Sequence, residues 1–492
     1  MYKCTDEESS ICDSFRLVME AEYQSEHTQF VSGHNGSDPL EILMIGAPVH
    51  CSHLLLISLH QLLGCNYSSV AGRVLEWLVL VCPTLLCLTV WCEQVVTVTL
   101  STAALACIII ISSQHSRVNG QVQVWNNKKS MFVMNHRSLM ITFTTVGILA
   151  VDFPVFPRRF AKTETVGFGW MDLGVGSFTF VNGLVSPEAR GHRSSLLKNV
   201  SGCVPLMMLG LVRLVSVSVL GYHDHVSEYG VHWNFFFTLA AVRLLSSLIL
   251  LVIHETKTVW VTSLVIAVMY EGVLTFGLAD WILSDTTPRD DLISANREGL
   301  SSSLGYLAIY LAGVSWGREV FNYNKSVEEL LVMLKLLLLW GAMMWLSLVY
   351  CMTFFLPPSR RLANYAFFTW IIAYNITVLT MFLITDLIVL CCISSSSGVK
   401  NKSKPKNQKN RAASDHKSKV ELYRCPKLVE AVDYNPLTFF LLSNLLTGLV
   451  NMSIRTIHTS DTLAVIILLS YQAVLALVIS LLYKFQIKIK FW

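Results

Sequence analysis

The sequence predicts an all-α polytopic membrane protein, with about thirteen transmembrane helices bundled around a polar cavity. Three observations predict it. Of 492 residues, 53% are hydrophobic and 14% are charged, whereas a soluble domain carries about 25% charged residues. Apolar runs long enough to span a bilayer, about 20 residues each, recur along the chain. The loops between them alternate between rich and poor in Lys and Arg, as in a chain threaded back and forth across a membrane. The net charge of +4 is small, and no nucleic-acid partner is expected.

Spans are expected near 43–63, 75–92, 95–113, 138–153, 168–186, 202–220, 232–253, 259–283, 301–316, 329–355, 364–394, 436–454 and 462–484. The first is interrupted by Pro48, His50 and His53. The ninth is short and carries Gly, and the eleventh is long enough to tilt. Residues 1–40 are polar and mixed and read as a disordered tail, with Met19 a second candidate start. No basic stretch leading into an apolar core marks a signal peptide. The chain thus divides into the tail at 1–40, helices one to eleven over 41–394 with a loop at 152–167, a basic linker over 395–435, and two last helices with a short tail over 436–492.

Loop charge sets the expected orientation. Arg117, Lys128, Lys129, Arg190, Arg193, Lys198, Arg318 and Lys325 fall on one side of thirteen spans. So does the cluster of ten Lys and Arg between Lys400 and Lys427. The positive-inside rule makes that side cytosolic, which puts the N-terminus in the lumen and the C-terminus in the cytosol. The terminal KIKFW, with Lys488 and Lys490, resembles a dilysine retrieval signal of the endoplasmic reticulum. Such a signal must be cytosolic, in agreement with that orientation. The thirteen Cys show no metal-ligand spacing. Cys82, Cys87, Cys107, Cys391 and Cys392 read as small buried hydrophobes, and no metal is expected.

The stretch Ile148 to Ser186, ILAVDFPVFPRRFAKTETVGFGWMDLGVGSFTFVNGLVS, carries the chemistry. An apolar run ends in Asp152, and a Pro- and Arg-rich loop follows with Arg158, Arg159 and Lys162. Charge at the mouth of a span is costly and usually functional. A partly desolvated carboxylate there suits a general base acting on a hydroxyl. Lys162 can support an oxyanion, or it can pair with Asp152 as an ion pair that only fixes the loop. Arg158 and Arg159 break the positive-inside pattern, which points to a phosphate; Arg360 and Arg361 break it too. Asp172 and Asn182 lie in the fifth helix and can line a polar cavity. His136 is a rival base, placed at the opposite end of the fourth helix. His223, Asp224, His225, Glu228 and His232 crowd one loop, and His232 is a candidate for substrate contact. Arg297 enters the ninth helix and can meet a phosphate. Asn444, Thr447 and Asn451 make a polar stripe on one face of the twelfth helix, which should face protein or cavity.

Four segments carry a resemblance: LAVDFPVFPRRFAKTE, MDLGVGSF, NREGL and DYNPLTFFLLSN. From about Thr28 onward the chain resembles the inositol acyltransferases of glycosylphosphatidylinositol (GPI) biosynthesis. These are called phosphatidylinositol-glycan class W in animals and GPI-anchored wall transfer protein in yeasts. The resemblance implies a multi-pass enzyme of the endoplasmic reticulum membrane. It implies transfer of a fatty acyl chain, typically palmitoyl, from acyl-CoA to the 2-hydroxyl of inositol in glucosaminyl-phosphatidylinositol. Acyl-CoA is then a co-substrate, and no cofactor is implied. Asp152 and Lys162 match the family's catalytic Asp and Lys. A lipid or solute transporter is the alternative for so many spans with polar interiors, and it predicts broken helices in paired halves. The orientation carries a direct test. Asn401, in Asn-Lys-Ser, should stay bare despite its sequon, whereas Asn35, in Asn-Gly-Ser, is open to glycosylation. Sugar lost in Asn401→Gln would reverse the orientation.

Overall fold

The computed structural model describes residues 22–23, 25–63, 69–114, 130–192, 196–220, 226–284, 286–323, 326–395 and 425–489. Fourteen helical segments organise them. They are α1 (Pro39–Leu63), α2 (Val70–Cys87) and α3 (Val95–Gln114); α4 (Met131–Ala150), α5 (Trp170–Leu184) and α6 (Leu196–Leu220); α7 (Phe235–Val252), α8 (Thr256–Leu283) and α9 (Arg297–Asn322). Then come α10 (Val327–Phe354), α11 (Tyr365–Ser395), the short α12 (Lys427–Tyr434), α13 (Pro436–Ser453) and α14 (Asp461–Lys484). Of the loop residues His223, Asp224, His225, Glu228 and His232, the first three fall outside the described residues, as does most of the basic linker.

Among the described residues, 10 helices are long and apolar enough to cross a membrane, not about thirteen. The other three, α4, α5 and α9, stand where the fourth, fifth and ninth spans were expected. α5 has only 15 residues. α4 opens on Asn135, His136 and Arg137, and α9 on Arg297 and Glu298, which lowers their hydropathy. Their polarity has an internal cause. All three are buried over most of their length, so their polar groups meet protein or cavity rather than lipid.

Close packing of small residues holds these inner helices together. α5 and α9 approach until a Cβ on Gly183 would lie 2.2 Å from the Tyr310 carbonyl oxygen, and one on Gly313 would lie 2.1 Å from that of Phe180. Lipid supplies no hydrophobic drive between helices, so such backbone approach carries the association. α11 fills the centre with Phe367, Phe368, Trp370, Ile371 and Ile372, all fully buried. Its N-terminus is capped from α8, where Glu271 accepts from the Tyr365 amide at 2.8 Å, a carboxylate against the positive end of a helix. α8 breaks at Gly277, whose φ of 113° only Gly adopts readily.

Two regions read as irregular are partly built. Residues 25–31 are helical, and 34–37 lie against the loop after α4, with the Ser37 amide donating to Phe168 O at 2.7 Å and the Glu164 amide to His34 O at 3.0 Å. The end of the linker folds as α12, because Glu76 of α2 accepts from the Lys427 and Leu428 amides at 2.8 and 2.7 Å. Replacing Gly313 by Leu should overpack the α5–α9 contact by about 1–3 kcal/mol or more. The expected readout is loss of the monodisperse peak in detergent; an unchanged peak and melting midpoint would show that the contact is not needed.

Candidate functional site

One cavity of about 1300 Å³ runs through the bundle, walled by α4, α5, α6, α7 and α13. Its lining follows α4 from Arg137 to Val151, roughly 20 Å at 1.5 Å per residue, and so crosses most of a hydrocarbon core. Arg137, Asp433, Asn435 and Lys488 stand at one end; Asp152, Lys162, Glu164 and Glu228 stand at the other.

Asp152 sits in the turn after α4 and is 6% exposed. Its Oδ2 accepts from Asn451 Nδ2 of α13 at 2.8 Å. Its Oδ1 lies 3.5 Å from His27 Nε2, too far to saturate that oxygen. His27 is held there by a strap. Tyr23 OH meets Thr456 Oγ1 at 3.3 Å, His458 pairs with Glu26 at 3.1 Å, and Phe30 lies under the Arg158 guanidinium at 4.1 Å. Residues 22–23 and 25–31 therefore wall the cavity mouth rather than form a free tail.

Lys162 does not pair with Asp152. Its Nζ lies 2.6 Å from Glu228 Oε1. Arg360 links this pair to α5: its Nη2 lies 3.5 Å from Glu228, and its Nε donates to Asp172 Oδ1 at 2.8 Å. Asp172 Oδ2 in turn accepts from the Thr163 amide at 3.1 Å and the Thr163 hydroxyl at 2.7 Å. Asp172 thus clamps the backbone beside Lys162. Burial would push the Glu228 carboxyl up, but Lys162, Arg360 and Arg213 outweigh it and hold it well below the usual carboxylate range.

The two loop arginines have other work than a phosphate. Arg158 donates to the carbonyls of Val151, Phe153 and Phe156 at 2.8–3.0 Å. It caps the end of α4, and its own burial draws the guanidinium down to about 10. Arg159 bridges Glu41 at 2.9 Å and Glu93 at 2.6 Å. Neither lines the cavity. Arg297 is buried away from it, donating to the Ser284 and Thr287 carbonyls, and His232 is exposed, its amide on Asn296 Oδ1 at 2.8 Å. Asn182 and Asn444 do line the cavity. His136 lines it near the far end, with Nε2 3.0 Å from Asn375 Oδ1.

Sequence reading missed Arg360 and Glu228 as parts of the Lys162 cluster, and His27 entirely. The basic exceptions at Arg360 and Arg361 were the available signal for the first; nothing local marked His27. Among the described residues no group of His, Cys, Asp or Glu stands together as a metal site.

A helical membrane protein with a charged, mostly apolar cavity on its inner helices is the class that this fold and site define. The chain belongs to the GWT1 family, which it matches over residues 23–482. It is 35% identical to glucosaminyl-phosphatidylinositol-acyltransferase PIGW of Bos taurus, over 94% of this chain and 98% of that protein. To the PIGW protein of Homo sapiens it is 36% identical over 72% of this chain and 74% of the relative. It is 34% identical to GPI-anchored wall transfer protein 1 of Gibberella zeae, over 96% and 99%.

Arg360 touches two buried carboxylates, so Arg360→Met should be strongly destabilising, by about 3–5 kcal/mol. Arg159→Gln, on half-exposed pairs, should change little. Melting midpoints of the two purified variants in detergent check this; an Arg360→Met midpoint equal to wild type would dissolve the network's structural role.

Proposed function

We propose that this chain is the GPI-pathway acyltransferase that esterifies the inositol 2-hydroxyl of glucosaminyl-phosphatidylinositol, with acyl-CoA as donor. Family membership and the printed activity of the PIGW relatives support the reaction. The observation that carries it in this chain is Asp152: a buried carboxylate, held by Asn451, whose other oxygen has only His27 at 3.5 Å, facing a cavity of about 1300 Å³.

In the proposed reaction Asp152 takes the inositol hydroxyl proton as the oxygen attacks the thioester carbon. The carbonyl electrons shift to oxygen, and Lys162, with Arg360 behind it, supplies positive charge for that oxyanion. The C–S bond then breaks, and the thiolate leaves as CoA thiol with the proton returned from Asp152. No acyl-enzyme is needed. The loop charges support a lumenal Asp152 end and a cytosolic Lys488 end, in the endoplasmic reticulum membrane. The cavity's length along α4 then suits a donor that arrives from the cytosolic end and delivers its thioester near Asp152.

The test is a microsomal assay with labelled palmitoyl-CoA and glucosaminyl-phosphatidylinositol. Asp152→Asn keeps size and the Asn451 contact but removes basicity. Activity should fall by about 10²–10⁴-fold with normal protein accumulation. Near-wild-type acylation by that variant would remove Asp152 as the base. Acyl-CoA-independent lipid movement by the wild type, without ester formation, would favour the transporter instead.

A further inference from the structure

We propose that the glycolipid enters the cavity sideways from the bilayer, through the cleft between α6 and α13, with Asn451 receiving one of its ring hydroxyls. This rests on the reading above that the acceptor is a diacyl lipid with a phosphodiester and a polyhydroxylated ring.

Four observations carry it. First, α6 packs on α7, while α13 packs on α4 and α14. Both line the cavity, and neither packs extensively on the other, so the cavity lies between them. Second, the outer faces of both helices suit lipid: Val204, Met208 and Val215 on α6 and Leu445 and Leu449 on α13 are all exposed and stand off the cavity lining. Two acyl tails can stay in the bilayer while the headgroup moves inward.

Third, the inner edges carry headgroup chemistry. Asn444, Thr447 and Asn451 recur at helical spacing on the cavity face of α13, climbing toward Asp152. Asn451 gives its Nδ2 to Asp152, while its Oδ1 is buried and meets no donor. A buried acceptor is normally satisfied, and a ring hydroxyl beside the reacting one would satisfy it. Across the cleft, Arg213 of α6 lines the cavity in reach of the Glu228–Lys162 cluster, where a phosphodiester would find positive charge. Fourth, Gly448 lines the same face of α13, and a Cβ there would meet nothing within 4 Å. The groove is open at the point where a lipid headgroup must pass. Entry by the Arg137 end would instead draw two tails past a charged mouth.

Gly448→Trp should fold, because the added ring projects into empty space. In proteoliposomes with long-chain glucosaminyl-phosphatidylinositol, KM for the glycolipid should rise by roughly tenfold or more, with KM for palmitoyl-CoA unchanged. Gly272→Trp on α8, also in open space but off the cavity, should behave as wild type. An unchanged glycolipid KM in Gly448→Trp overturns the portal. A binding readout separates the portal from the reaction. A benzophenone amino acid at position 448 of the full chain should capture a radiolabelled phosphatidylinositol glycolipid in preference to phosphatidylcholine. Equal capture of both lipids counts against the portal even if acylation is confirmed, and selective capture supports it even if acylation fails.

Discussion

Charge inside a membrane protein has to be answered by other charge, and here one chain of ion pairs answers it: Lys162 to Glu228, Glu228 to Arg360, Arg360 to Asp172. Desolvating an isolated carboxylate or guanidinium costs several kcal/mol, so these groups must be assembled together or not at all. Their assembly ties the loop after α4 to α5 and to the segments before α7 and α11. The cavity mouth has its shape because those four places must meet.

That network also separates two jobs. Asp172 and Arg360 are enclosed, and their geometry is fixed by each other and by Thr163. Asp152 and Lys162 line the cavity, Asp152 between Asn451 and His27 and Lys162 on Glu228. A rigid inner layer beneath a less constrained outer one suits the acyl transfer proposed above, since most of the work is placing a hydroxyl against a carbonyl carbon. In that proposed reaction the apolar remainder of the cavity would take acyl tails, and a charge beside them would act more strongly than one in water.

The helix inventory was legible because apolar length and helical structure are coupled in lipid: a spanning segment must satisfy its own backbone hydrogen bonds. The thirteen expected positions all hold helices, yet α4, α5 and α9 lack span-like apolarity. Their Asn, His, Arg and Gly were visible in the sequence. What hid their meaning is that hydropathy counts composition, not which neighbour each face meets.

Sequence alone determined that the chain is helical and membrane-embedded, that 152–162 is a charged loop at a helix end, and that Asn444, Thr447 and Asn451 share a face. Each of these follows from local spacing or from the transfer cost of polar groups. Only the tertiary structure decided who pairs with whom. Lys162 meets Glu228, some sixty residues on, rather than Asp152 ten residues back, and Asp152 meets Asn451 of α13 and His27 of the N-terminal strap. Arg158 and Arg159, which looked free for a phosphate, are taken by the carbonyls ending α4 and by Glu41 and Glu93. Ion pairing depends on distance in space, which helix packing sets and which no spacing along the chain encodes.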